Sequence, residues 1–427
     1  MHITTHLDGD LVAVESDDEV SLLVELTAPA AAPDPDAVVH TAVVVLDRSG
    51  SMAGLRLEHA KRALVALVDR LAEHDRFGLV TFDDQAELVV PAEPVGATGR
   101  AALKRTIDRI VAGGSTDLGA GYLRALGEAA RVAGPEGATL VVLSDGHANQ
   151  GITDPDVLAT LAAQAHANGT TTSTIGIGLG YDESALLALA RGGSGNHAFA
   201  EQADDAAAAV AGEIDGLLSK AAQAATLLVS PLAEVTQVGV LNDLPAHAVG
   251  GGVLVELGDL YAGETRRVLI TLGVPAVSSL GLAQVATLTA QWVALPSLEQ
   301  ETVTLPVSVN VVPTDEAAGR IPAPEVTRDK LFLETQRRKR EATEALGRGD
   351  HDAARAVLGA AIDGLAGAPV PAGTCEADEL TWLHETVGML DDRDEAYVSR
   401  RLAADHLRKA RYTNRQQGGE TRHHGES

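Results

Sequence analysis

Asp47, Ser49 and Ser51 alternate at the end of the apolar run Thr41-Ala42-Val43-Val44-Val45-Leu46, so a turn leaving that run can converge one carboxylate and two hydroxyls on one point. Oxygen donors of this kind suit a hard divalent cation, which prefers carboxylate, hydroxyl, carbonyl and water oxygens to sulfur or imidazole. Two later stretches offer more. Gly113-Gly114-Ser115-Thr116-Asp117 places Thr116 in a glycine-rich loop, and Leu140-Val141-Val142-Leu143-Ser144-Asp145 is a second apolar run ending in a carboxylate. An EF-hand loop also begins with Asp and has an acid twelfth, where Glu58 stands, but it needs glycine sixth, where Met52 stands, and flanking helices. Ser49 and Ser51 as caps of a helix after Gly54 would leave Thr116 and Asp145 unexplained.

The elements that must position these residues read as alternating strands and helices from Val38. Continuous apolar runs with β-branched residues, Ala42 to Leu46 and Leu140 to Leu143, suit parallel strands covered on both faces. Leu57, Ala60, Leu64, Leu67, Val68 and Leu71 give the helix Leu55 to Ala72 one apolar face. The strand Phe77 to Phe82, an edge strand Glu87 to Val90, a helix Arg100 to Val111 and a helix Leu118 to Val132, capped by Asp117, follow. After the strand ending at Asp145 come a helix from Pro155 to Ala167, a strand Thr172 to Ile177, a helix Asp182 to Ala190, a strand His197 to Ala200 and a helix Asp204 to Leu218. This alternation predicts a doubly wound parallel sheet, in which ligands bind beyond the carboxyl ends of the strands where strand order reverses. Asp83 and Asp84 end a neighbouring strand and read either as carboxylates beside the site or, in preference, as surface carboxylates.

With Thr116 and Asp145 following in order, the Asp47-x-Ser49-x-Ser51 spacing resembles the metal-ion-dependent adhesion site of von Willebrand factor A domains, over roughly residues 38 to 216. The resemblance implies a Rossmann-like α/β domain whose metal ligands are Asp47, Ser49, Ser51, Thr116 and Asp145, acting directly or through water. The expected ion is Mg²⁺, with Ca²⁺ or Mn²⁺ as substitutes. The expected partner is a protein whose Asp or Glu completes the coordination shell, and family resemblance adds AAA-type ATPases as co-workers. Bacterial relatives of calcium-activated chloride channel proteins and inter-alpha-trypsin inhibitor heavy chains look similar in layout, and Gly258-Asp259-Leu260-Tyr261-Ala262-Gly263-Glu264-Thr265 resembles a phrase common in them.

Outside that domain the period changes. Leu11 to Glu15 and Val20 to Leu26 read as strands, and residues 30–36 as a linker. From about Gln223 to Val312 six strand-like runs are punctuated by Asn242-Asp243, Gly250-Gly251, Gly263, Pro275 and Pro296. Two or three strands cannot bury a core alone, so the N-terminal strands are expected to complete a β-sandwich into which the α/β domain is inserted. Thr314 to Pro324 reads as a linker, and four helices follow. The expected divisions are 1–36 and 220–313 for the sandwich, 37–219 for the α/β domain, 314–415 for a helical domain and 416–427 for a disordered tail. The cluster Arg337-Arg338-Lys339-Arg340 reads as a solvated face paired with Glu334, Glu341 and Glu344 at helical spacing.

A formal charge of −27 opposes binding to nucleic acid or an anionic membrane, both of which need a cationic footprint. The acidity is concentrated before Pro313, with 16 Lys and Arg against 39 Asp and Glu, while the remainder holds 17 against 21. A lone Cys375 excludes an intrachain disulfide and reads as a buried thiol. No apolar leader or membrane span is evident, so a cytoplasmic location is expected. The rival function is a Mg²⁺- or Mn²⁺-dependent hydrolase. It is disfavoured because the chain has no His-Glu-x-x-His, Gly-x-Ser-x-Gly or phosphate-binding lysine loop, and Gly176 to Gly180 lacks dinucleotide-binding spacing. A third reading makes the C-terminal helices the docking surface and the metal a structural staple.

Overall fold

A computed structural model describes residues 1–30, 39–145, 148–177, 183–200, 219–232, 235, 237–367, 375–392, 395–410 and 413–414. At its centre lies strand Thr41–Asp47, buried along its whole length. Val43 and Val45 pack on one side of its sheet with Tyr122 and Leu140, while Val44 and Leu46 pack on the other with Leu57, Leu64 and Ile175. Alternate side chains of a strand point to opposite faces, so an uninterrupted apolar run is what a doubly covered strand requires.

Thr41–Asp47 pairs in parallel with Arg76–Phe82 on one side and Ala138–Ser144 on the other. The sheet continues in parallel through Thr170–Ile177 to Ser194–Ala200, and closes at the opposite edge with the antiparallel strand Ala86–Pro94. The chain leaves Thr41–Asp47 toward one edge and later returns to Ala138–Ser144 toward the other, so the strand order reverses between these two neighbours. Asp47 and Asp145 therefore stand side by side at the switch point.

Two sheets, antiparallel except where Leu11–Ala13 pairs in parallel with Gln300–Val312, enclose a separate apolar core. Thr265–Val274 pairs along its full length with Asp18–Thr27, with His2–Leu7 beyond it, and Gln237–Val240 lies on its other side. The facing sheet runs Ala246–Val249, Gly252–Tyr261, Lys220–Pro231, Gly281–Ala294, Gln300–Val312 and Leu11–Ala13. His2–Leu7 was not legible as a strand because its polar residues occupy an exposed sheet edge. Within Thr314 to Pro324 the structure places a short helix, Thr314–Ala318, whose Ala317 packs on Ala13 and Val312, where composition alone reads as a linker.

Helices Pro324–Gly347, His351–Ala366, Cys375–Asp392 and Glu395–Ala410 share a fourth core. The first lays Val326 and Leu333 on Leu23 and Leu269, on the outer face of the sandwich. One expectation fails here. Lys339 is fully buried and ion-paired to Glu379 and Asp405, with its Nζ 4.1 Å from the centroid of the Trp382 ring. Against the upward push of burial, Lys339 and Lys409 pull the Asp405 carboxyl down to about 2. Arg337 and Arg340 do pair with Glu341 and Glu344 at one-turn spacing, so the basic cluster straddles an exposed and a buried face. The expected helix 204–218, the tail 416–427 and the Cys375 side chain lie outside the described residues.

His197, in edge strand Ser194–Ala200, is buried, and burial drives its imidazole down to about 4 while Nδ1 lies 2.8 Å from Thr174 Oγ1. The unfolded chain holds this proton below about 6.5 and the folded chain only below about 4. Stability is therefore full above the higher value and falls by on the order of 3 kcal/mol as pH drops through that window. Urea unfolding across the window should show this slope in the native protein and a flatter one in His197→Gln.

Candidate metal centre

Each candidate residue leaves the end of an element that fixes it. Asp47 closes the central strand, and its buried side chain accepts the Ser49 amide at Oδ1, 2.7 Å, and the Ser144 hydroxyl at Oδ2, 2.6 Å. The first bond folds the chain sharply out of the strand into the single 3₁₀ turn Gly50–Met52. That turn sets Ser49 Oγ and Ser51 Oγ 3.0 Å apart, and Ser51 Oγ donates to Asp145 Oδ1 at 2.8 Å. Asp47, Ser49, Ser51 and Asp145 thus form one continuous chain of contacts across two loops.

Thr116 joins through its loop's backbone. The Gly50 amide donates to Gly114 O at 2.9 Å and the Gly113 amide to Arg48 O at 2.6 Å, stitching the two loops together. Thr116 itself is buried, its amide held by Asn149 Oδ1 at 3.1 Å and its carbonyl accepting the amides of Asn149 and Gln150. Asp117 caps helix Leu118–Val132 by accepting the Ala120 amide, which anchors the far side of the loop.

Asp83 departs from the surface role expected of it. It is buried, accepts Arg48 Nε at 3.0 Å and the Gln85 amide at 3.0 Å, and lies against Gly113. Although burial pushes its carboxyl up, the Gln85 amide and Arg48 hold it below the usual range. Asp84 is exposed, as expected, beside Gly114. Sequence reasoning also passed over Ser144, Asn149 and Arg56. Ser144 could have been found from its place before Asp145, but nothing in the sequence joins Arg56 or Asn149 to residues about ninety and thirty positions away, because the contacts arise only when neighbouring loops meet.

The electrostatics favour a cation. Burial raises the Asp47 carboxyl above its ordinary value, hydrogen bonds from Ser144 and Ser49 oppose this, and the charge of Asp145 adds to the rise. The carboxylates of Asp47 and Asp145 and the hydroxyls of Ser49 and Ser51 come together, all of them oxygen groups, with the loop that carries Thr116 stitched beside them. Among the described residues no group of three or more His, Cys, Asp or Glu is gathered where it could hold a metal. An ion here would depend on hydroxyls and water, ligands suited to a hard divalent cation.

The sequence model of the von Willebrand factor type A domain matches residues 42–212. The uncharacterized protein sll0103 of Synechocystis is 31% identical over 240 residues, 54% of this chain and 56% of that one. Inter-alpha-trypsin inhibitor heavy chain H4 of Bos taurus is 33% identical over 135 residues, 29% of this chain and 14% of that protein. The matches thus span about half or less of these relatives' own length. A solved structure, the von Willebrand factor type A protein from Catenulispora acidiphila, superposes with a TM-score of 0.75 at 20% identity, over 95% of this chain and 96% of that one. That likeness is one of fold.

A Cβ at Gly113 would stand 2.2 Å from Asp83 Oδ2, whereas one at Gly127 would meet nothing within 4 Å. Gly113→Ala should therefore push Asp83 off Arg48 and destabilise the protein by about 1–3 kcal/mol. Gly127→Ala, in helix Leu118–Val132, should leave stability unchanged or slightly raised. Thermal unfolding of the two variants side by side checks the contrast.

Proposed function

We propose, from the match of residues 42–212 to the von Willebrand factor type A domain, that this protein is a metal-dependent protein-binding module in which Asp47, Ser49, Ser51, Thr116 and Asp145 hold a divalent ion. Mg²⁺ is the ion proposed, and its outward coordination position takes an Asp or Glu of a partner protein. The observation that carries the reading is the contact chain from Asp47 through Ser49 and Ser51 to Asp145, four side chains from two loops meeting at a strand-order reversal. The ion would supply a Lewis-acidic point of attachment for a carboxylate. The protein's own residues orient the hydroxyls and keep Asp47 fixed.

The pairing of Asp18–Thr27 with Thr265–Val274 supports the domain division in this reading, with residues 1–36 and 220–313 as one sandwich interrupted by the α/β domain at 37–219. In that arrangement both ends of the inserted domain join the sandwich, and helix Pro324–Gly347 braces the sandwich from outside. Among the described residues no helix is long and apolar enough to cross a membrane.

Titration of the full chain with MgCl₂ and MnCl₂ in a calorimeter tests the metal. Saturable binding to one site is expected, weakened at least tenfold, about 1.4 kcal/mol, in Asp47→Ala and Ser51→Ala. Affinity capture with Mg²⁺ and with EDTA tests the partner. A bound protein released by EDTA and lost with Asp47→Ala is expected, and capture unchanged by both treatments rejects the carboxylate mechanism.

A further inference from the structure

Asp145 is already engaged by a cation belonging to the chain. Its side chain is fully buried, and Arg56 Nη1 lies 2.5 Å from Oδ2. The same Nη1 donates to the Ser51 carbonyl at 3.2 Å, while Ser51 Oγ donates to the other carboxylate oxygen. Both oxygens of Asp145, and one of the candidate hydroxyls, are therefore tied up by Arg56 and Ser51.

Arg56 sits in the first turn of helix Leu55–Arg70. A positive charge there is disfavoured by the helix dipole, which prefers anions at that end. The helix therefore does not account for its position, and the attraction of a buried carboxylate does. A carboxylate with no access to water needs hydrogen bonds or a compensating charge; Asp145 has the Ser51 hydroxyl for the first and Arg56 for the second. Arg56 is also 43% exposed, so its guanidinium can swing into solvent without passing through the core.

We propose that Arg56 is the resident counter-cation of this centre, and that a divalent ion enters by displacing it from Asp145. Arg56 thereby sets the metal affinity. The inference rests on the metal-binding reading above. Two cations cannot share one carboxylate without repelling each other, so the ion's gain at Asp145 is reduced by the attraction it must break. The same exchange keeps the site folded when no ion is bound, because Asp145 is never left with an uncompensated charge.

Calorimetric titration of MgCl₂ and MnCl₂ into the full native chain, Arg56→Gln and Arg56→Lys decides the matter, with metal-induced thermal shifts as a second readout. Arg56→Gln should bind about tenfold or more tightly and show a larger metal-induced rise in Tm, because only the ion can then neutralise Asp145; Arg56→Lys, which keeps the charge, should stay within about threefold of the native protein. Equal or weaker binding by Arg56→Gln overturns the competition while leaving the metal site standing. Ion binding by neither the native chain nor Arg56→Gln overturns the metal reading and this inference together. Binding only by Arg56→Gln supports the inference in its strongest form.

Discussion

A carboxylate removed from water at the end of a doubly covered strand must find hydrogen bonds or a counter-charge, and that constraint organises the centre of this protein. Asp47 finds hydrogen bonds, from the Ser49 amide and the Ser144 hydroxyl, and each bond shapes the chain around it. The first forces the turn that presents Ser49 and Ser51, and the second fastens strand Thr41–Asp47 to strand Ala138–Ser144 at the level where Asp145 emerges. Asp145 finds a charge, Arg56, together with the Ser51 hydroxyl. The loop geometry is thus a consequence of satisfying two buried anions.

The same physics recurs where the parts of the chain meet. Asp243, in a loop of the sandwich, receives Arg191 from the α/β domain and Arg340 and His406 from the helices. Those partners overcome burial and hold its carboxyl far below the ordinary range. At the base of the α/β sheet Lys220 pairs with Asp259 at 2.7 Å, and Thr171 donates to the same carboxylate at 3.0 Å. Removing Lys220 or Asp259 alone leaves its buried partner uncompensated, at a penalty of about 3–5 kcal/mol. These junctions fix the relative placement of the parts more sharply than apolar contact alone.

Much of the α/β domain was readable from residues. The runs Ala42 to Leu46 and Leu140 to Leu143 announce doubly covered strands because both faces must be apolar, and Asp117 announces a helix start because its side chain can accept an orphan amide. Boundaries were less legible. Helix Arg100–Asp108 ends before the Val111 that periodicity reaches, and strand Ala86–Pro94 extends beyond Glu87 to Val90, since edges and ends are set by pairing rather than propensity. Lys339 shows the deeper limit. Its neighbours Arg337, Arg338 and Arg340 read as one basic face, yet a helix turns about 100° per residue, so adjacent charges face different surroundings.

By itself the sequence determined most of the elements, though not strand His2–Leu7 or helix Thr314–Ala318, and which oxygen donors could serve a cation, because apolar periodicity and residue chemistry are local properties. Tertiary structure alone decided that Asp83 is buried against Gly113, that Ser144 and Asn149 support the centre, and that Arg56 meets Asp145. Those facts depend on which loops become neighbours when strands pair across long separations. Pairing is a property of the whole sheet, and no single stretch of chain contains it.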